Sequence, residues 1–98
     1  MITIAHKKWK NNWSYHTKRS KITTDGKNLY SSGYLIGFTD PSLGKICILR
    51  NKKDGGYVDS ATTKYSNATK EVADVTITFN QYKEVVRIAE EREAKKKK

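Results

Sequence analysis

Apolar side chains are scarce in this chain, and the richest supply lies in one stretch. Tyr34–Phe38 is one run and Ile46–Leu49 another, separated by TDPSLG. That separator has turn chemistry: Asp40 can accept from backbone N–H groups ahead of it, Pro41 presets φ, and Gly44 tolerates φ > 0. The two runs predict a hairpin that seeds the core. In the second run both faces are apolar, Ile46 and Ile48 against Cys47 and Leu49. This is the pattern of a central strand covered on both sides.

Little else can supply a core. The chain has 98 residues, of which 36% are apolar, and its mean hydropathy is −0.81. It has room for one small domain, expected over residues 1–94, with 95–98 as a lysine tail. Two Trp, six Tyr and two Phe offset the shortage, because each ring buries a large area. The net charge of +10 points to a polyanionic partner: nucleic acid, an acidic membrane surface or an acidic protein, with nucleic acid favoured. Cys47 is the only cysteine, so no intramolecular disulfide forms, and its apolar surroundings predict a buried thiol. No run approaches the roughly 20 apolar residues of a membrane span. No signal peptide is visible, so the sequons at Asn12 and Asn67 carry no weight and a cytoplasmic location is expected.

Taken in order, Met1–Ala5 reads as a short edge strand. Residues 6–21, HKKWKNNWSYHTKRSK, form an arm without a single acid; the first is Asp25. Its order is open. A strand over 13–19 would put Trp13, Tyr15, Thr17 and Arg19 on one face, whereas a helical turn over 6–13 would stack Trp9 on Trp13. Asp25-Gly26, inside ITTDGKNLYS, predicts a hairpin with a type I′ turn. Gly37 leaves a flat spot that another backbone or a flat ligand could approach. Tyr34 and Phe38 are expected to face the core. NKKDGG (51–56) is a loop, Tyr57–Thr63 an exposed or edge strand, and Lys64–Glu71 a polar loop. Asp74–Phe79 alternates as a half-buried strand. Asn80 then caps a helix whose apolar face, Tyr82, Val85, Val86 and Ala89, is expected to pack on the sheet.

Catalytic patterns are missing. No paired carboxylates, nucleophile motif or phosphate-cradling glycine loop occurs, and one cysteine with two histidines does not make a zinc site. No cofactor is expected. The arm, by contrast, combines what single-strand binding requires. Lys7, Lys8, Lys10, Lys18, Arg19 and Lys21 can neutralise phosphates, and Trp9, Trp13 and Tyr15 can stack on unpaired bases. One tryptophan of the pair is expected to be buried and the other partly exposed. Lys52 and Lys53, at a loop tip, would add charge. The helix read near the C-terminus is acidic over most of its exposed length, so nothing suggests a recognition helix for duplex DNA.

The order LGKICILR (Leu43–Arg50), a polar connection, then VTITFNQYKEVVRI (Val75–Ile88) resembles the positive-cofactor-four and Whirly-type single-stranded-nucleic-acid-binding proteins. Ile77, Phe79, Asn80 and Tyr82 match the family's passage from last strand to helix. The resemblance covers about half the chain and implies single-strand binding on a curved sheet and dimerisation through the helix. The connection Asn51–Asp74 and the Trp-rich arm depart from the family pattern.

The expectation is an α+β fold: a twisted antiparallel sheet of about five or six strands with one C-terminal helix on one face. The other face would take a ligand or a second copy of the chain. The expected function is non-catalytic binding of single-stranded DNA or RNA through phosphate contacts and aromatic stacking. The competing expectation is a small viral or mobile-element accessory protein whose basic surface binds and inhibits an acidic host protein.

Overall fold

The computed structural model describes residues 2–96. Its elements are α1 (Ile4–Lys10), β1 (Ser14–Tyr15), β2 (Ile22–Asp25), β3 (Leu29–Ser31), β4 (Tyr34–Asp40), β5 (Gly44–Leu49), α2 (Ser60–Thr69), β6 (Val75–Thr78) and α3 (Phe79–Lys96). The six strands form one sheet in sequence order. It is an α+β fold, as the sequence predicts. The central hairpin is β4–β5, with Phe38 opposite Ile46 and Gly37 opposite Cys47. Its turn is built as expected: the Asp40 carboxylate accepts from the N–H groups of Ser42 and Leu43, both at 2.8 Å, and Gly44 has φ +87°.

The sheet is not antiparallel throughout. β6 runs parallel to β5, with Ile46 opposite Val75 and Ile48 opposite Ile77. A parallel neighbour requires a crossover, and α2 supplies it. This corrects the strand expected over Tyr57–Thr63 and the loop over Lys64–Glu71. The Asp59 carboxylate accepts from the Thr62 N–H and caps the helix. The side of α2 that meets the sheet is small and hydroxylated, burying Thr62, Ser66, Ala68 and Thr69. Ser31 and Thr62 share a hydroxyl hydrogen bond of 3.2 Å, and the Cys47 thiol donates to the Ser66 carbonyl. Small side chains let the helix come close, and internal hydrogen bonds remove the cost of burying polar groups.

The expected edge strand over Met1–Ala5 is also corrected. Ile4 and Ala5 open α1, while Met1 lies outside the described residues. The cap is a Thr3–His6 box: the Thr3 hydroxyl accepts from the His6 N–H, and the Thr3 N–H donates to His6 Nδ1 at 3.1 Å. α1 ends in a Schellman motif. The N–H of Asn12 bonds the Trp9 carbonyl and that of Trp13 bonds the Lys8 carbonyl, with Asn12 at φ 63°. This reversal separates the two tryptophans. Trp9 is 0% exposed and Trp13 is 60% exposed, so they do not stack, and the split expected between them holds. Only Ser14–Tyr15 of the alternative strand over 13–19 forms.

α1 and α2 cover one face of the sheet. Ala5, Trp9, Ile22, Leu29 and Ile36 form its core, with Tyr15 and Tyr65 packed against them. The flat spot at Gly37 is filled from within: a Cβ there would come within 2.9 Å of Trp9 Cζ2. α3 starts on the other face, where Tyr82 meets Phe38 with ring centroids 6.0 Å apart. Three helices therefore contact the sheet, on both faces, where one helix on one face was expected. β5 is covered on both sides, as its composition predicts.

Other local expectations are adjusted. The β2–β3 hairpin forms, but its loop is the three residues 26–28 and is not type I′. Gly26 is at φ +98° while Asp25 is not in the left-handed region, and the Asp25 carboxylate instead accepts from the Lys27 and Asn28 N–H groups. α3 is capped by Thr78 and Gln81, not Asn80. The Gln81 N–H donates to Thr78 Oγ1 and the Thr78 N–H to Gln81 Oε1, a reciprocal capping box. Tyr82 and Val86 of α3 are half-buried, whereas Val85 and Ala89 are exposed. Tyr34 is exposed and Phe38 half-buried, so neither is the core residue expected. Of the expected lysine tail, Lys97 and Lys98 lie outside the described residues, and Lys95 and Lys96 continue the α3 backbone.

His6 joins the two helices on the first face. Because Nδ1 accepts from the Thr3 N–H, the ring proton sits on Nε2, which donates to Thr69 Oγ1 at 2.8 Å. Burial holds the His6 pKa below its ordinary value of 6.5. The unfolded chain takes up a proton near pH 6.5 that the folded chain refuses, so stability is full above that pH. It falls as pH drops toward the folded value, by at most roughly 1.4 kcal/mol per pH unit. Urea midpoints measured between pH 8 and 5 should show this loss, and His6→Gln should remove most of it.

Candidate nucleic-acid interface

Charge and aromatic exposure place the candidate surface around α1 and the segment that follows it. α1 is a basic helix, with Lys7 and Lys10 exposed and no acid in its first turn. The sequence leaves open a helical turn over 6–13, and the helix that forms begins earlier and ends at Lys10. Seven residues are too few for the apolar periodicity to fix its bounds, and the cap residues Thr3 and His6 mark its start. Beyond its end, the Lys8 ammonium lies 4.9 Å from the centre of the Trp13 ring. A cation on one face of the indole leaves the rest of this exposed ring available to solvent.

Apart from Trp9, the expected site residues divide into four groups. Trp13, Lys8 and Lys7 lie at the C-terminal end and outer side of α1. Tyr15, Arg19 and Lys21 line a cavity of about 490 Å³ with Ile22 and Tyr65, and Lys18 is exposed beside them in sequence. Lys52 and Lys53 sit in the loop after β5, where Lys52 lies 5.1 Å from the Tyr57 ring. Lys10 is engaged elsewhere, 3.3 Å from the Asp74 carboxylate.

Trp9 is the one expected stacking residue that the fold withdraws. Its ring is fully buried, its indole N–H donates to the Lys27 carbonyl at 2.9 Å, and the Lys45 ammonium lies 5.2 Å from its centre. It cannot meet a base without unfolding α1. Its burial follows from the missing side chain at Gly37, which opens the space its ring fills.

Two cations missed from sequence are buried. Lys45 Nζ donates to Asn12 Oδ1, the Gly26 carbonyl and Thr39 Oγ1 at 2.7–2.9 Å. All three ammonium donors are thereby used, so Lys45 holds the α1 terminus to the β2–β3 loop and has none left for phosphate. Burial pushes its pKa down, helped by Lys10 and opposed by Asp74 and Asp25. Arg50 Nε donates to the Leu35 carbonyl and Nη1 to the Gly56 carbonyl, with the guanidinium 4.6 Å from the Phe79 ring centre. Both residues sit in strand-like sequence among apolar neighbours, which gave no sign of a structural charge.

Cys47 offers no chemistry at the surface. Burial pushes its thiol pKa up to about 12. A disulfide reagent should react with Cys47 at a rate set by opening of the fold, and rapidly only in denaturant. Burst-phase labelling in buffer would contradict this packing. Among the described residues no group of three His, Cys, Asp or Glu side chains is placed to hold a metal ion, and no helix is long and apolar enough to cross a membrane. No protein-family model, no curated protein and no solved structure matches this chain.

Proposed function

We propose that this protein binds single-stranded nucleic acid or RNA without catalysing a reaction, through the surface formed by α1 and residues 13–21. The observation that carries the reading is Trp13, 60% exposed in a stretch that holds six cations and no acid before Asp25. A large ring held in water is unfavourable unless something covers it, and unpaired bases suit a flat ring flanked by cations. Lys7, Lys8, Lys18, Arg19 and Lys21 supply the phosphate contacts, and Trp13 and Tyr15 the stacking. Lys52 and Lys53 extend the positive surface.

The test is tryptophan fluorescence during titration with a pyrimidine DNA oligomer, an RNA hairpin and a duplex at two salt concentrations. Trp9 is shielded, so quenching reports on Trp13. Single-strand or RNA binding should quench it, with a log–log salt slope of about −0.7 per phosphate contact on a single strand. Trp13→Ala should weaken binding by about 1–3 kcal/mol. Joint reversal of Lys18 and Arg19 to Glu should weaken it further and flatten the salt slope. Equal, weak and steeply salt-dependent binding to all three probes would reduce the interaction to charge alone. The basic surface would then be assigned to an acidic protein partner.

A further inference from the structure

The cavity lined by Arg19, Lys21 and Tyr15 of β1 is bounded by three further elements. α1 contributes Ala5, β2 contributes Ile22, and α2 contributes Tyr65. Its volume of about 490 Å³ lies within the range of small-molecule sites, roughly 300–1,000 Å³. The interior offers two aromatic rings over an aliphatic floor, and both rings are half-buried. Arg19 and Lys21 are exposed. None of the lining residues is acidic. Two further cavities each include an acid, Glu71 in one and Asp25 in the other, which disfavours an anionic occupant there.

The walls are held in place before any ligand arrives. His6 Nε2–H donates to Thr69 Oγ1 and lies 3.2 Å from the Tyr65 carbonyl, while the Thr69 hydroxyl donates to that same carbonyl. The helix carrying Tyr65 is therefore tied to the helix carrying Ala5. A site that need not order itself on binding keeps more of its interaction energy. Neither the Tyr15 nor the Tyr65 hydroxyl has a hydrogen-bond partner among the described residues, so both can meet polar edges of a ligand. Arg19 is the freer of the two cations. Lys21 lies near Asp59, whose carboxyl is held low first by the Thr62 N–H and hydroxyl and to a lesser degree by Lys21.

We propose that this cavity is a slot for one unpaired nucleotide, the base against Tyr15 and Tyr65 and the phosphate on Arg19 and Lys21. The proposal rests on the nucleic-acid reading above and names the unit recognised. The slot takes a base that has left its stack, because a paired base has its faces and edge already occupied. The same chemistry is offered by a free nucleotide and by a nucleotide within a strand.

The experiment uses the full chain and two probes, uridine 5′-monophosphate and an eight-nucleotide oligouridine. Amide NMR shifts at Tyr15, Ile22 and Tyr65 report the slot, and Trp13 fluorescence reports the outer surface. Saturable shifts at the slot with both probes are expected, and Tyr65→Leu or Arg19→Glu should each weaken oligouridine binding roughly tenfold. Should Tyr65→Leu fail to fold, the slot amides decide the matter, because uridine 5′-monophosphate must shift Ile22 and Tyr65 in the parent chain and shift them less in Arg19→Glu. Oligouridine that quenches Trp13, leaves the slot amides unmoved and binds Tyr65→Leu as it binds the parent would overturn the slot and keep the broader reading. Monophosphate binding in the slot without oligouridine binding would keep the slot as a free-nucleotide site and overturn the broader reading. Binding of neither probe would overturn both.

Discussion

Replacing Trp9 with alanine should destabilise the protein by about 3–5 kcal/mol. For a domain whose whole stability is of the order of 5–15 kcal/mol, that leaves much of the population unfolded in mild denaturant. The ring is fully buried and belongs to the cluster that joins α1 to β2, β3 and β4. Its loss removes the largest apolar surface on that face and opens a cavity above Gly37. It also leaves the Lys27 carbonyl without the indole N–H and the Lys45 ammonium without its aromatic neighbour. Urea unfolding followed by circular dichroism measures the effect without relying on the deleted fluorophore. Gly37→Val tests the same contact from the other side: its β-carbon must displace a ring that lies within 2.9 Å of the new position, so it should destabilise by about 1–3 kcal/mol. A Trp9→Ala loss under 1 kcal/mol would mean that α1 is not part of the cooperative unit.

Lys45→Met should cost about 2–4 kcal/mol, although it removes a buried charge. Methionine preserves the length and the packing beneath Trp9 but donates nothing. The Gly26 carbonyl and Thr39 hydroxyl, which now accept from the ammonium at 2.9 and 2.7 Å, would be left in a space built around that group. Asn12 is exposed and recovers its hydrogen bond from water. The cost therefore falls on the β2–β3 loop, and amide exchange at Gly26 and Lys27 should accelerate more than exchange in β5. Unchanged stability with unchanged exchange would mean that water replaces the ammonium at all three acceptors.

The central hairpin was legible because its signals are local and agree with one another: two apolar runs, an aspartate that caps a turn, and a glycine where φ must be positive. α2 was not legible. SATTKYSNAT is rich in β-branched and hydroxyl side chains, and read alone it resembles an edge strand or a loop. Its helix depends on the Asp59 cap and on contacts with Ser31, Cys47 and the Arg50 N–H that lie far away in sequence. Read locally, Tyr65 falls in a polar loop and carries no site signal, although it forms one wall of the cavity. The division between Trp9 and Trp13 could be stated in general but not assigned. The assignment depends on one left-handed residue, Asn12, and on the missing side chain of Gly37, twenty-eight positions after Trp9. Lys18, Arg19 and Lys21 are exposed, and the acid-free run that singles them out is a property that composition alone reveals.

The parallel alignment of β6 with β5 bears on the order in which the molecule can assemble. Strands β1 to β5 join neighbours through short connections, and each pairing closes only a small loop. β6 reaches β5 only after the segment holding α2 has been laid against the sheet, a closure whose entropy must be met before Val75–Thr78 gains any partner. The last strand and the helix it launches are thus dependants of a meander that can form without them. Native-state hydrogen exchange would divide the chain along that line, with β6 and α3 opening in smaller excursions while β3, β4 and β5 release their amides only when the whole fold is lost.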